Sequence, residues 1–344
     1  MKEFLKLDLN ADSSIPKYKQ IVNGIIDQIE SGQLKFGQKI PSINNLSEDY
    51  YLSRDTVEKA YIELKERGIV ISVKGKGYYI NATEPLSKIR VLLLFNKLSA
   101  YKKVIYNAIV RSLGDKAYVD LFIHHCEIAL FEKAVQEQSV DYHYYLVMPH
   151  FKEVTDQELG KTLKLIPSDR LIIMDKAIED FIPQFGAVYQ DFGSDIYNIL
   201  CENLNLINKY RKLLLVFPSD TDYPYPKEII FGFKKFCIHH NLPWELMDEI
   251  SADHQITPGE LYITIAETDI ANLIKCIRTS KLELGISIGI LSYNDTPLKE
   301  VLESGITVMT TDFEAMGRTA ARMILEKKGS FVKNHFKLIL RNSL

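Results

Sequence analysis

Apolar residues recur at helical spacing near the start of the chain and give way, past residue 88, to short β-rich runs. In "IPKYKQIVNGIIDQIESG", Tyr18, Ile21, Val22, Ile25, Ile26 and Ile29 fall at i, i+3, i+4, i+7, i+8 and i+11, which is one helical face. Pro16 suits the first turn and Gly32 the C-terminal cap. "GQKIPS" interrupts the pattern, and Ser42 is placed to cap a short second helix with Ile43 and Leu46 inward. Tyr50, Tyr51 and Leu52 make a turn. Ser53 then caps a third helix with Val57, Ala60, Tyr61 and Leu64 as its apolar stripe, and Gly68 ends it. "IVISVKGKGYYIN" reads as two β-rich runs about Lys-Gly-Lys-Gly, a hairpin with a basic tip. The sum is a winged helix-turn-helix, mostly α with a β wing, whose third helix is built to enter a major groove.

"NATEPLSK" (81–88) is polar with a proline and predicts a linker between a domain at 1–80 and one at 89–344. Beyond it, "IRVLLLF" (89–95), "YVDLFIHH" (118–125), "YYLVMP" (144–149), "RLIIMD" (170–175), "LLLVFP" (213–218), "LYITIA" (261–266), "GISIGIL" (285–291) and "ITVMT" (306–310) alternate with helical stretches. Near-continuous apolar strands between helices mean buried parallel sheets in α/β layers, and the strands are too many for one sheet, so two lobes are expected. Ligands of such sheets bind beyond the carboxyl ends of the strands. The candidate effector residues are therefore Asn96, Ser99, Tyr101, His150, Asp175, Lys176, Gln190, Asp191, Tyr223, Lys227, Asp269 and Asn294, with Lys97, Glu267, Tyr293 and Asp295 in the same turns. Carboxylates and planar amides among aromatic rings suit a small polyhydroxylated ligand.

Composition narrows the class. The 344 residues are 46% hydrophobic and 25% charged, as in an ordinary globular protein of two or three units, and no run reaches the length of a membrane span. An early-acidic N-terminus without an apolar core argues against a secretory leader, so a cytoplasmic protein is expected. Cys126, Cys201, Cys237 and Cys276 are scattered and predict reduced thiols. Residues 1–80 carry 12 Lys+Arg against 11 Asp+Glu and the remainder 30 against 34, so DNA binding would rest on local placement and not on bulk charge. His124, His125 and Cys126 end a strand, where neighbours face opposite sides, and "CIHHN" (237–241) lacks the i, i+3 or i+4 spacing of helical ligands. Neither predicts a metal, and no nucleophile elbow or phosphate loop is present, so no cofactor and no catalysis are expected.

Residues 16–81 resemble the DNA-binding domain of the GntR family through Pro-x-Tyr-x-Gln-Ile, Ser-Gly-x-Leu, Gly-x-x-Ile-Pro-Ser, Leu-Ser-Arg-x-Thr-Val, Leu-x-x-x-Gly and the Gly-x-Gly wing. The resemblance implies double-stranded DNA as partner and points to Ser42, Asn44, Ser53, Arg54, Asp55, Thr56, Lys59, Lys74, Gly75 and Lys76 as its contacts. The physics agrees. A helix N-terminus offers N–H groups to phosphate, Arg54 has the fork for guanine O6 and N7, and Lys74 and Lys76 can approach the backbone. Asn44 and Glu58 stand where members of the family often carry Arg, so the family's usual operator does not transfer. Residues 89–344 resemble the effector domain of the LacI/GalR repressors, a periplasmic-binding-protein-like fold. The marks are "SYNDTPLKEVLESGITVMTTDFEAMGRTAARMIL" (292–325), "AETDIANLIKCIR" (266–278) and the opening strand and helix. That implies a sugar-like effector between two lobes, a homodimer on a palindromic operator, and repression. One departure is Ile229, where sugar-binding relatives place an Arg three residues before Gly-Phe; Lys227 is a candidate substitute. Two alternatives compete with this reading. A winged helix fused to a pyridoxal-phosphate aminotransferase-type enzyme needs a Schiff-base lysine in a recognisable setting. A pure ligand-binding protein would carry a signal peptide.

Overall fold

The first apolar face becomes α1 (Lys17–Glu30), with Ile21, Val22 and Ile25 wholly buried. A two-residue strand β1 (Lys39–Ile40) follows, then α2 (Ile43–Asp49), α3 (Arg54–Glu66), β2 (Val70–Val73) and β3 (Gly77–Ile80). The computed structural model describes residues 5–10, 13, 15–81, 88–136, 142–152, 154–178, 181–219 and 223–344, and the chain divides into two units, Met1–Lys88 and Ile89–Leu344.

In the first unit, Leu46 of α2 and Val57, Ala60, Tyr61 and Leu64 of α3 close the core against α1. Tyr61 donates to the Pro41 carbonyl at 2.7 Å and meets Tyr78 of β3 edge-on at 4.8 Å, which fastens α3 to the wing sheet β1-β3-β2. Gly68 ends α3 because its φ of 69° lets its N–H reach the Lys65 carbonyl and the Ile69 N–H reach Leu64. The periodicity did not predict the arm before α1. Leu5 and Leu7 are buried in this core. The Tyr50 hydroxyl donates to Leu5 O and accepts from Leu7 N at 2.8 Å, while the Gln28 amide clasps the Lys6 backbone. The linker expected at 81–88 falls, over 82–87, outside the described residues. Asn81 still belongs to the first unit, its N–H bonded to Ile69 O.

The second unit runs β4 (Ile89–Phe95), α4 (Ala100–Leu113), β5 (Ala117–Ile123), α5 (Ile128–Gln136), β6 (Tyr144–Val147), α6 (Asp156–Leu163), β7 (Leu171–Lys176) and β8 (Gly186–Gln190). It continues through α7 (Phe192–Glu202), α8 (Leu204–Ile207), β9 (Lys212–Val216), α9 (Glu228–His239), β10 (Trp244–Met247), β11 (Glu260–Thr264), α10 (Glu267–Thr279), β12 (Gly289–Tyr293), α11 (Pro297–Val301) and β13 (Thr307–Thr311). The chain closes with α12 (Phe313–Glu326), β14 (Phe331–Lys333) and β15 (Phe336–Ile339). Two six-stranded sheets result. One is β14-β8-β7-β6-β4-β5, parallel throughout; the other is β10-β9-β11-β12-β13-β15, parallel except for β15. Their interior strands are the apolar runs of the sequence, buried on both faces.

The differences from expectation lie at the edges. Residues 285–288 of the expected strand "GISIGIL" form a turn, because Gly285 at φ 79° bonds its N–H to Ile288 O, and β12 begins only at Gly289. Strands β1, β10, β14 and β15 are short edge pieces whose mixed burial leaves no period to read.

The chain passes between the two sheets three times: from β8 to α7, from β13 to α12, and from β14 to β15. Asn334 ties these passages together. Its backbone N–H bonds Tyr189 O, and its side-chain amide donates to Thr311 Oγ1 and Asp312 O at 2.7 and 2.8 Å. Helix α12 returns to the first lobe and crosses α4 so closely that a Cβ on Gly317 would stand 2.6 Å from Ile105 O.

Candidate functional site

Each unit carries a candidate face, and the two are described separately. In the first unit, Ser42 caps α2, accepting from Asn45 N at 3.2 Å, and Ser53 caps α3, accepting from Thr56 N at 3.2 Å. The Ser53 and Thr56 hydroxyls also bond each other at 2.7 Å, so the start of α3 is held rigid before any partner arrives. Arg54, Asp55 and Lys59 are exposed along α3, as is Asn44 on α2. Lys59 does not extend freely, since its ammonium lies 4.1 Å over the Tyr18 ring. Lys74, Gly75 and Lys76 are exposed at the tip of the wing, where Gly75 takes φ 74° and Lys76 N–H closes the turn onto Val73 O. Tyr51 is a feature that periodicity missed. It sits in the turn before Ser53, 97% exposed, at φ 51°.

In the second unit a cleft of about 330 Å³ opens at the carboxyl ends of both sheets. From the first lobe it takes Ser99 and Tyr101 at the start of α4, His150 after β6, Asp175 in β7 and Gln190 at the end of β8; from the second, Tyr223 and Asn294. These seven of the candidate effector residues are brought together.

Asp175 organises one wall. It adopts φ 74°, a left-handed backbone that a non-glycine residue holds only at a cost, and its carboxylate meets His150 Nε2 at 2.9 Å, Gln190 Nε2 at 2.5 Å and Lys102 Nζ at 3.6 Å. Burial alone would raise its pKa, but the His150 bond and the Lys102 charge hold it well below the usual carboxylate range. The same burial pushes Lys102 down to about 8, against the pull of Asp175, and pushes His150 down so that the ring is neutral at pH 7. Opposite, Lys299 donates to the Tyr293 and Asn294 carbonyls at 2.9 and 2.7 Å, and burial lowers it to about 8 despite Glu267 and Asp295. Among the described residues, four buried polar atoms of the lining have no hydrogen-bond partner: Ser99 Oγ, Gln190 Oε1, Tyr293 Oη and Asn294 Oδ1. Such atoms cost about 1–3 kcal/mol each if left so, and a ligand with hydroxyl groups would satisfy them.

Five candidates do not line the cleft. Asn96 is wholly buried behind the wall, its side-chain oxygen accepting from Lys102. Lys176 is drawn to Glu228 at 3.7 Å. Asp191 is the N-cap of α7 and accepts from Ser194 N at 3.2 Å. Lys227 takes the cap position of α9 without a side-chain capping bond, and Ile229 two residues on presents an apolar side chain to the cleft. Asp269 is buried and holds the Ile250 N–H at 2.9 Å. Asn96, Asp191 and Asp269 thus serve neighbouring donors and Lys176 an ion pair, roles that position after a strand does not separate from ligand contact. Of the residues named in the same turns, Lys97, Glu267 and Tyr293 line the cleft and Asp295 does not, whereas Phe192, Tyr225 and Lys299 line it without having been singled out, and Lys102 stands behind Asp175. Lys102 carried a signal: it falls in the apolar stripe of α4 with Ile105, Ile109 and Leu113, where a lysine must be buried and paired.

Residues 17–80 match the profile of bacterial regulatory proteins, gntR family. The arabinose metabolism transcriptional repressor of Geobacillus stearothermophilus is 29% identical over 111 residues, covering 31% of this chain and 30% of that protein. The transcriptional repressor YtrA of Bacillus subtilis is 35% identical over 75 residues, covering 22% and 58%. The chain thus spans well under two thirds of these curated relatives. Among solved structures, the Lac repressor bound to ONPG in the repressed state superposes with a TM-score of 0.60 at 15% identity, covering 85% of this chain and 90% of its own. A transcription regulator like protein from Staphylococcus haemolyticus gives 0.58 at 14%, covering 75% and 99%. At such identities the likeness is one of fold. It gives the aminotransferase alternative no support, and among the described residues no helix is long and apolar enough to cross a membrane. The chain therefore carries a gntR-family helix-turn-helix domain at residues 17–80, and its α/β unit has the two-lobed fold of the LacI-type repressors.

Proposed function

We propose that the protein is a sequence-specific transcription repressor of the cytoplasm that binds a palindromic operator as a homodimer. Residues 16–81 grip the DNA, and a small sugar-like effector in the cleft of residues 89–344 controls the grip. One observation carries the reading: a gntR-family helix-turn-helix shares a chain with a two-lobed cleft lined by buried, unpartnered hydroxyl and amide atoms. Relatives support it by name, one as an arabinose metabolism repressor and one as a Lac repressor dimer bound to operator and an anti-inducer.

The start of α3 gives phosphates its free N–H groups and aims Arg54 at base edges, while the wing lysines neutralise phosphate charge. Two copies are needed because a single short helix reads too few bases, and a two-fold pair reads an inverted repeat. In the cleft, Asp175 is fixed by three partners, so Gln190 and Asn294 are left to receive ligand hydroxyls. An effector that binds one arrangement of the lobes better than the other shifts the population, and the three passages tied at Asn334 are where such a motion would hinge. Selection of random DNA on the purified full chain tests the first half of the reading. Convergence on an inverted repeat is expected, and recovery of unrelated sequences held only by salt-sensitive contacts would contradict it.

A further inference from the structure

We propose that the effector is an anionic polyol, a sugar acid or sugar phosphate, whose charged group is received by Lys97 beside the open N-terminus of α4 while its hydroxyls meet Gln190 and Asn294. This rests on reading the cleft as an effector site. The charges of the cleft are unequally committed. Asp175 is consumed by Lys102, His150 and Gln190. Glu267 accepts from Thr296 and lies on the side of Lys299. Lys299 spends its donors on the Tyr293 and Asn294 carbonyls, which leaves Lys97, among the described residues, as the lining cation with donors uncommitted. Among the described residues it pairs with no carboxylate, and its ammonium stands 3.4 Å over the Tyr223 ring, facing the cleft that both residues line. A half-buried ammonium resting on a π face keeps its donors for an incoming acceptor.

The backbone around Lys97 has the same polarity. Ser99 occupies the cap of the fourteen-residue α4 and makes no side-chain capping bond, and Ala100 and Tyr101 line the cleft, so the N–H groups of the first turn open into it. Helix α10 also begins on the cleft, at Ala266, without a side-chain cap. The two helices that begin at passages between the lobes differ: Asp191 caps α7 and Asp312 caps α12. A carboxylate is thus already supplied at the starts of α7 and α12 and missing at the starts of α4 and α10. The independent sign of a ligand is Gln190. It is 5% exposed, its Nε2 is fixed on Asp175, and its Oε1 is left without a donor. That oxygen and Asn294 Oδ1 require donors, which chloride or sulfate lacks and a polyol has in number.

The test uses matched pairs on the full chain: galacturonate against galactose, and glucose 6-phosphate against glucose. The acidic member of at least one pair should raise the melting temperature and its neutral partner should not; which pair responds separates carboxylate from phosphate. Lys97→Met should weaken the responding acid on the order of tenfold or more, and Lys97→Arg should restore most of it. Equal stabilisation by a neutral partner, or undiminished acid binding to Lys97→Met, would overturn the proposal. If no sugar of either kind binds, the sugar reading fails, and the anion site is then decided by itself. Millimolar inorganic phosphate, against chloride at equal ionic strength, should slow acylation of Lys97 by an amine reagent as read by mass spectrometry; an unchanged rate would remove the anion site.

Discussion

Arg54 can bind DNA in two ways that its substitution distinguishes. If it makes the bidentate base contact that its place at the first position of α3 allows, Arg54→Ala should lose about 1–3 kcal/mol on the operator and much less on random DNA. Equal losses in a competition titration would make it a phosphate contact. Next to it, Tyr51 holds φ 51° with 97% of its surface in solvent, and no core contact repays that backbone. Tyr51→Gly should therefore raise stability by about 1 kcal/mol in urea denaturation, and a loss would mean that the ring packs usefully. In the cleft, Asp191 and Asn294 are expected to part company. Asp191→Ala removes a helix cap and should cost about 1 kcal/mol of stability while leaving the response to effector intact. Asn294 holds φ 62°, where alanine is less at ease than asparagine, so Asn294→Ala should cost a little stability and, unlike Asp191→Ala, lose the response. Lys102 gives a pH signature. Its folded-state pKa is about 8 against an ordinary 10.5, so between those values the unfolded chain holds more protons. Its contribution is fully present above 10.5 and is lost as the pH falls through 8. The stability of the wild type relative to Lys102→Met should accordingly rise from pH 8 to pH 10; a constant difference would mean that the ammonium titrates as in water.

At the scale of elements, the passage of α12 back onto α4 is the contact most sensitive to volume. Because a Cβ at Gly317 would meet Ile105 O at 2.6 Å and Ala108 Cβ at 2.8 Å, Gly317→Val should destabilise the second unit by about 1–3 kcal/mol or more, measured by thermal or urea unfolding. Full stability would show that the helices can separate at no cost. Elements of this kind were unevenly legible in the chain. The three helices of the first unit and the interior strands of the second announce themselves, because one buried face imposes a period on Ile21 to Ile29 and two buried faces impose the runs at Ile89–Phe95 and Leu171–Lys176. The edge strand β10, half in solvent, imposes none, and the N-terminal arm is held by Tyr50 and Gln28, partners twenty-two to forty-five residues away that no local pattern shows. The cleft was legible as a place and not as a roster. Residues after strands were the right neighbourhood, but Asp191 and Asp269 are used by backbone N–H groups, while Lys102 and Lys299 reach the site from within helices, well past the strand ends.

For the molecule as a whole, the two units are a reader and a sensor only if occupancy of one changes the affinity of the other, and that coupling is the central claim. Neither a gntR-family domain nor a LacI-type fold guarantees it, because an effector with equal affinity for both lobe arrangements shifts nothing however tightly it binds. The direct measurement is the dissociation constant of the full-length protein for its selected operator by fluorescence anisotropy, at fixed salt, with and without a saturating concentration of the sugar that most raises the melting temperature. The account predicts a change of about 5- to 150-fold, the range of ordinary coupling free energies, and no change in Asn294→Ala. An operator affinity that stays the same in the wild type while the cleft is full would contradict it.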